Sequence, residues 1–141
     1  MTPISSHIFI DTNVIIGYFL GFEEDKRCLS YLFKIKGKKL YISSLTIAQV
    51  VAIFQKQKEN YSNVRKKVEL LLKKFNVVTF SKEDIEKAIT LGEFDMEDNM
   101  QCTMALKMRC NYVITNNMKD FTKNISVIAL EPTKVRGEIK K

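Results

Sequence analysis

Short β-rich runs alternate with longer helical ones along this chain, and that pattern restricts its fold more than any other feature. His7-Ile8-Phe9-Ile10 reads as a strand ending at Asp11. Leu40-Tyr41-Ile42, Asn76 to Phe80, Tyr112 to Thr115 and Val127 to Leu130 read as four more. Between them lie helical patterns over Thr12–Leu20, Glu23–Ile35, Leu45–Lys58, Tyr61–Phe75, a stretch from Lys82, and Asp95–Arg109. Helices between successive strands imply crossover connections, hence parallel pairing and a sheet covered on both faces. The expected fold class is α/β: a three-layer α/β/α sandwich around a mostly parallel five-stranded sheet. Residues 1–133 are expected to form one domain, with a polar, basic tail over 134–141 that frays.

Composition narrows the function classes. Of 141 residues, 23 are Lys or Arg and 16 are Asp or Glu, a net charge of +7. Such a surface favours a polyanionic partner. No apolar run reaches the ~18 residues that a membrane span needs, and the first residues lack the pattern of a signal peptide. Three cysteines, Cys28, Cys102 and Cys110, form no metal-ligand pair. Together with the missing signal pattern they point to reduced thiols and a cytoplasmic location. A single histidine, His7, excludes His-rich zinc sites and a Ser-His-Asp centre elsewhere. No glycine-rich phosphate loop is present.

Ligand sites in open parallel sheets lie beyond the carboxyl ends of the strands. Asp11 follows the first strand; Ser43, Ser44 and Thr46 follow the second; Thr115, Asn116, Asn117 and Asp120 follow the fourth. On the long helix, Asp95 and Asp98 are three residues apart and share a face, which Cys102 and Ala105 continue. Each carboxylate alone is as well explained as a helix cap or a partner for the helix dipole. Asp11, Asp98 and Asp120, however, come from separate segments and are expected at one edge. Converging carboxylates repel unless a cation neutralises them. Oxygen-rich sites suit hard ions such as Mg²⁺ or Mn²⁺. On a basic protein, that combination suggests metal-assisted attack on a phosphodiester.

Four stretches together resemble the PIN domain, and within it the VapC-like toxin ribonucleases. They are Ile8-Phe9-Ile10-Asp11-Thr12-Asn13-Val14-Ile15, Tyr41-Ile42-Ser43-Ser44-Leu45-Thr46-Ile47-Ala48-Gln49-Val50, Phe94-Asp95-Met96-Glu97-Asp98 and Tyr112-Val113-Ile114-Thr115-Asn116-Asn117-Met118-Lys119-Asp120-Phe121. The resemblance implies a metal-dependent endoribonuclease using Mg²⁺ or Mn²⁺, the toxin of a toxin–antitoxin pair. RNA would be its substrate, a small antitoxin its inhibitor, and a homodimer its assembly. It places Asp11 and Asp98 as metal ligands, with Asp95 and Asp120 as further acids. Thr12, Asn13, Ser43, Gln49, Thr115, Asn117 and Lys119 would orient water or substrate. Gln49 and Asn117 fall where the family usually carries acids, so an alternative is a PIN-like module, weak or inactive in catalysis, that binds RNA or a protein partner. A phosphatase using Asp11 as nucleophile fits poorly, because an acid would be expected at position 13, which is Asn.

Three lesser features also have two readings. Met96, Met100, Met104 and Met108 repeat every four residues and read as packing or as a contact surface. The clusters Lys34, Lys36, Lys38, Lys39, then Arg65, Lys66, Lys67, then Lys73 and Lys74 read as solvated faces or phosphate contacts. Lys119 and Lys123 fall nearer the expected site than these clusters do.

Overall fold

The computed structural model describes residues 6–92, 95–121 and 126–140. The order of elements is β1 (Ser6–Ile10), α1 (Thr12–Leu20), α2 (Glu23–Lys34), β2 (Lys38–Ser43), α3 (Ser44–Lys56), α4 (Tyr61–Lys74), β3 (Asn76–Val78), α5 (Lys82–Thr90), α6 (Met96–Lys107), β4 (Tyr112–Ile114), β5 (Ile128–Leu130) and α7 (Val135–Glu138). Short 3-10 turns occupy Met118–Asp120 and Pro132–Lys134.

The sheet has five strands in the order β3-β2-β1-β4-β5, and every pairing is parallel. Strands β2 and β3 extend from one side of β1, and β4 and β5 from the other, so the direction of winding reverses between β1 and β4. Alternation along the strands divides the core into two layers. Ile8, Ile10, Leu40, Ile42 and Ile114 pack toward α1–α4 and α7. Phe9, Tyr41, Val78 and Val113 pack toward α6, against Cys102, Met104 and Ala105. The small Cys102 and Ala105 lie in this second layer, as their spacing on the helix suggests. The α/β sandwich expected from the sequence is therefore present.

Local chemistry sets the helix boundaries. Asp11, Ser43, Asn60, Ser81 and Asp95 each cap a helix by accepting a hydrogen bond from a first-turn backbone N–H. Arg109, at φ 52°, turns the chain left-handed after α6. Lys58, at φ 61°, does the same after α3. Two expectations need correction. Strand β3 stops at Val78 rather than Phe80, because Thr79 and Phe80 lead directly into the Ser81–Asp84 capping box of α5. The tail does not simply fray: Val135 and Ile139 are 0% and 2% exposed, and the Tyr31 hydroxyl donates to the Ile139 carbonyl at 2.7 Å.

Candidate metal and nucleic-acid site at the β1–β4 edge

Asp11 is the residue after β1, where the chain turns into α1. Its backbone N–H donates to Ile114 O at 2.9 Å, which fixes the end of β1 beside the end of β4. The side chain is 4% exposed. Its Oδ1 accepts from Thr12 N at 2.8 Å and from Gln101 Nε2 at 3.4 Å. Its Oδ2 accepts from Thr115 Oγ1 at 2.8 Å and from Asn13 Nδ2 at 3.0 Å. All four donors are neutral. Burial raises the carboxyl's pKa above the ordinary value, and the bonds from Thr115, Thr12, Gln101 and Asn13 only partly offset that rise.

Asp98 lies in the first turn of α6, half-buried, and its Oδ2 accepts from Asn117 Nδ2 at 2.9 Å. Asp11 and Asp98 line one cavity of about 390 Å³. Thr12, Asn13, Gln49, Glu97 and Gln101 complete its polar lining, and Ile16, Ala52 and Ile53 make an apolar side.

A hydroxyl–amide cluster supports the cavity wall. Thr12 Oγ1 donates to Gln49 Oε1 at 2.7 Å, lies 2.8 Å from Thr46 Oγ1, and accepts from Gln101 Nε2 at 2.6 Å. Gln101 Nε2 is also 3.0 Å from Thr46 Oγ1. Gln101 is 2% exposed, and its Oε1 is buried with no hydrogen-bond partner. The Nε2 of this amide faces Asp11 Oδ1 as well as the two hydroxyls. Turning it over would aim an oxygen at a carboxylate.

The other expected residues are distributed as follows. Thr115 is fully buried on Asp11, and its Oγ1 accepts from Asn117 N at 2.9 Å. Asp95 is exposed and serves as the N-cap of α6, accepting from Asp98 N at 3.1 Å. Ser43 is buried and caps α3 through Leu45 N at 3.0 Å. Neither Asp95 nor Ser43 is among the residues lining the cavity. Lys119 is exposed on the Met118–Asp120 turn. The Asp120 side chain and Lys123 lie outside the described residues, as does Phe94 of the third motif stretch. The methionine stripe is mixed: Met104 is fully buried, whereas Met96 is 47% exposed.

Sequence reading missed Gln101. A detectable signal existed, because Gln101 follows Asp98 by three residues and so shares its helix face. Thr46 lies just after β2, as its place in the sequence indicates, and the contacts that bring it into the cluster come from the distant Thr12 and Gln101. Among the described residues, no group of three or more His, Cys, Asp or Glu side chains converges closely enough to hold a metal unaided. No helix of the described residues is long and apolar enough to cross a membrane.

Comparison with known proteins agrees with this architecture. The chain is 26% identical over 142 residues to Ribonuclease VapC1 of Aquifex aeolicus (strain VF5), covering 90% of this chain and 92% of that protein. In fold it is similar to the VapBC-1 structure from nontypeable Haemophilus influenzae, with TM-score 0.71 and 20% identity, covering 91% of this chain and 99% of the other. It is also similar to a toxin-antitoxin complex from Klebsiella pneumoniae, with TM-score 0.68 and 23% identity, covering 89% and 97%. The sequence model of the PIN domain matches residues 7–119, which span the sheet from β1 through β4 and every residue of the cavity. The chain belongs to the PIN-domain family.

Proposed function

We propose that this protein is a divalent-metal-dependent endoribonuclease and the toxin of a toxin–antitoxin pair. One observation carries the reading: Asp11 and Asp98, 87 positions apart in sequence, line the same cavity where the sheet reverses its winding. That edge is where open α/β sheets bind ligands. Its similarity to Ribonuclease VapC1 and to toxin-antitoxin structures supports the same activity and partner class. The net charge of +7 favours RNA as the polyanion.

The donor set is compatible with Mg²⁺ or Mn²⁺. Mg²⁺ is commonly held by one or two carboxylates, with waters and substrate phosphates completing its shell. Asp11 and Asp98 supply two carboxylates, and the unpartnered Oε1 of Gln101 is a neutral oxygen in the same wall. When bound, the ion would supply Lewis-acid stabilisation of charge on the phosphate and a more acidic water. The chain's own residues prepare the site. Thr115, Asn13, Gln101 and the Thr12 backbone hold both oxygens of Asp11 in one orientation. Asn117 orients Asp98. Gln49, its Oε1 held by Thr12, brings an amide to the cavity wall where it would donate to a phosphate or base oxygen. An antitoxin segment occupying the cavity would block RNA from the acids. A homodimer belongs to the same proposal, and sedimentation velocity would read it.

The direct test is cleavage of a mixed RNA pool by purified protein with Mn²⁺, against Asp11→Asn and Asp98→Asn. Both substitutions should abolish cleavage, and equal activity in all three proteins would refute the proposal. A second reading is a PIN-like module without cleavage, favoured by the neutral Gln49 and Asn117. It predicts RNA binding without turnover, no millimolar Mn²⁺ binding in the wild type, and gain of Mn²⁺ binding in Gln49→Glu.

A further inference from the structure

Three consecutive residues after β4 each donate to a different aspartate. Thr115 Oγ1 donates to Asp11 Oδ2 at 2.8 Å, Asn116 Nδ2 to Asp25 Oδ1 at 3.1 Å, and Asn117 Nδ2 to Asp98 Oδ2 at 2.9 Å. Asp11 and Asp98 belong to the proposed site. Asp25 lies in the first turn of α2 and does not line the cavity.

An acid in a first helical turn usually needs no explanation beyond the helix dipole. Glu23 and Glu24 meet that description, because both are exposed. Asp25 differs. It is 4% exposed, and its Oδ1 accepts from Asn116 Nδ2. No Lys or Arg forms an ion pair with it among the described residues. Burial raises its carboxyl's pKa above the ordinary value, only partly offset by Asn116. The dipole alone would be served equally well by an exposed carboxylate. The packing is also specific: a Cβ added at Gly17 of α1 would sit 1.7 Å from Asp25 Oδ2. Only a residue without a side chain leaves room for this carboxylate.

We propose that Asp25 is a positioning residue, tethering the 115–117 segment through Asn116 so that Thr115 and Asn117 stay aligned on Asp11 and Asp98. This rests on the reading of Asp11 and Asp98 as the functional carboxylates. A second link joins the tether to the site. Asn116 N and Nδ2 donate to Asn13 Oδ1 at 3.2 and 3.5 Å, and Asn13 Nδ2 donates to Asp11 Oδ2 at 3.0 Å. Fixing Asn116 therefore fixes one donor to Asp11 directly along the chain and another through Asn13.

The test is amide hydrogen exchange by NMR on the metal-free full chain, read at Asn116 and Asn117. Their N–H groups bond to Asn13 Oδ1 and Thr115 Oγ1. Val113 and Ile114 of β4 serve as internal references. Asp25→Ala should raise exchange at 116 and 117 by about tenfold with little change at 113 and 114, the signature of local rather than global opening. Asn116→Ala, an exposed substitution that cuts the same tether, should give the same rise at 117 even if Asp25→Ala does not fold. Asp25→Asn keeps an acceptor oxygen and should remain near wild type. With RNA, kcat should fall in Asp25→Ala while KM stays constant. Unchanged exchange at 116 and 117, a uniform rise across β4, or Asp25→Asn behaving like Asp25→Ala would overturn the tether. If wild type cleaves no RNA, the nuclease reading fails while the exchange comparison still decides the tether.

Discussion

Asp11 and Asp84 are each only 4% exposed and both sit at the start of a helix, but Asp11 lies deeper in the protein and their surroundings differ in kind. Asp84 closes the capping box of α5. Its Oδ2 accepts from Ser81 N at 2.8 Å and Ser81 Oγ at 2.9 Å, and the Lys107 ammonium lies 3.0 Å away. Burial pushes its pKa up, but Ser81 and Lys107 together outweigh that and hold the carboxyl below the ordinary value. Asp11 has four donors to Asp84's three, none of them a cation, and burial prevails. A helix N-terminus at Asp84 is finished chemistry, with every charge answered inside the chain. Asp11 instead lines a cavity, and no Lys or Arg among the described residues forms an ion pair with it. Asp11 and Asp84 thus differ, among the described residues, in whether a fixed cation stands beside the carboxylate; Asp25, which also has none, is held by the Asn116 amide instead.

The largest effect that tests this contrast is on RNA cleavage. Asp11→Asn and Asp98→Asn should each lower kcat/KM by more than about 100-fold, since even partners that only orient a metal ligand contribute about 10- to 100-fold. Asp84→Asn should leave cleavage of the folded protein unchanged. Cleavage lost in all three variants alike would break the contrast.

Gln49→Glu sharpens it. A third carboxylate at the cavity should tighten Mn²⁺ binding by roughly tenfold, because ligand charge count tunes affinity for hard cations. Calorimetry on wild type and variant reads the difference.

Stability should move in opposite directions at the two sites. In chelator-treated protein at neutral pH, Asp11→Asn should raise the melting temperature and Asp84→Asn should lower it. The pH dependences should be opposite as well. The Asp84 pKa is depressed, so its contribution is complete above the unfolded value of 3.8 and is lost as pH falls through the folded value. The Asp11 pKa is raised, so its contribution is complete below 3.8 and is lost as pH rises through the folded value. Denaturant titrations from pH 3 to 7, a span of about four units around the ordinary carboxylate range, would read both trends. Smaller still is Ser81→Ala, expected to lower stability by about 1 kcal/mol through loss of the cap, with cleavage intact.

Local periodicity made the fold legible. Ile8, Phe9 and Ile10 alternate between the two core layers, and helices long enough to cross the sheet separate the strands. Half of the site was legible for the same reason. A polar residue directly after a parallel strand has to emerge at the carboxyl edge, which located Asp11 and Thr115. What the sequence hid depends on contacts between distant segments. Gln101 belongs to no motif beyond its spacing from Asp98, and only the close approach of α6 to the Thr12–Thr46 pair buries it. Asp25 reads as a helix-dipole residue until the missing side chain of Gly17 is seen beside it. The buried tail carried a usable signal: Val135 and Ile139 are four apart, the spacing of one apolar helix face. The basic composition around them obscured it.

Asp11 and Asp98 are proposed to hold a divalent cation jointly, despite the neutral amides around them. Titration calorimetry of Mn²⁺ into chelator-treated wild type, Asp11→Asn and Asp98→Asn tests it most directly. Saturable binding at about millimolar concentration or tighter in the wild type, lost in both variants, is the predicted result. Equal binding heats in wild type and Asp11→Asn, or no binding by any of the three, would contradict it.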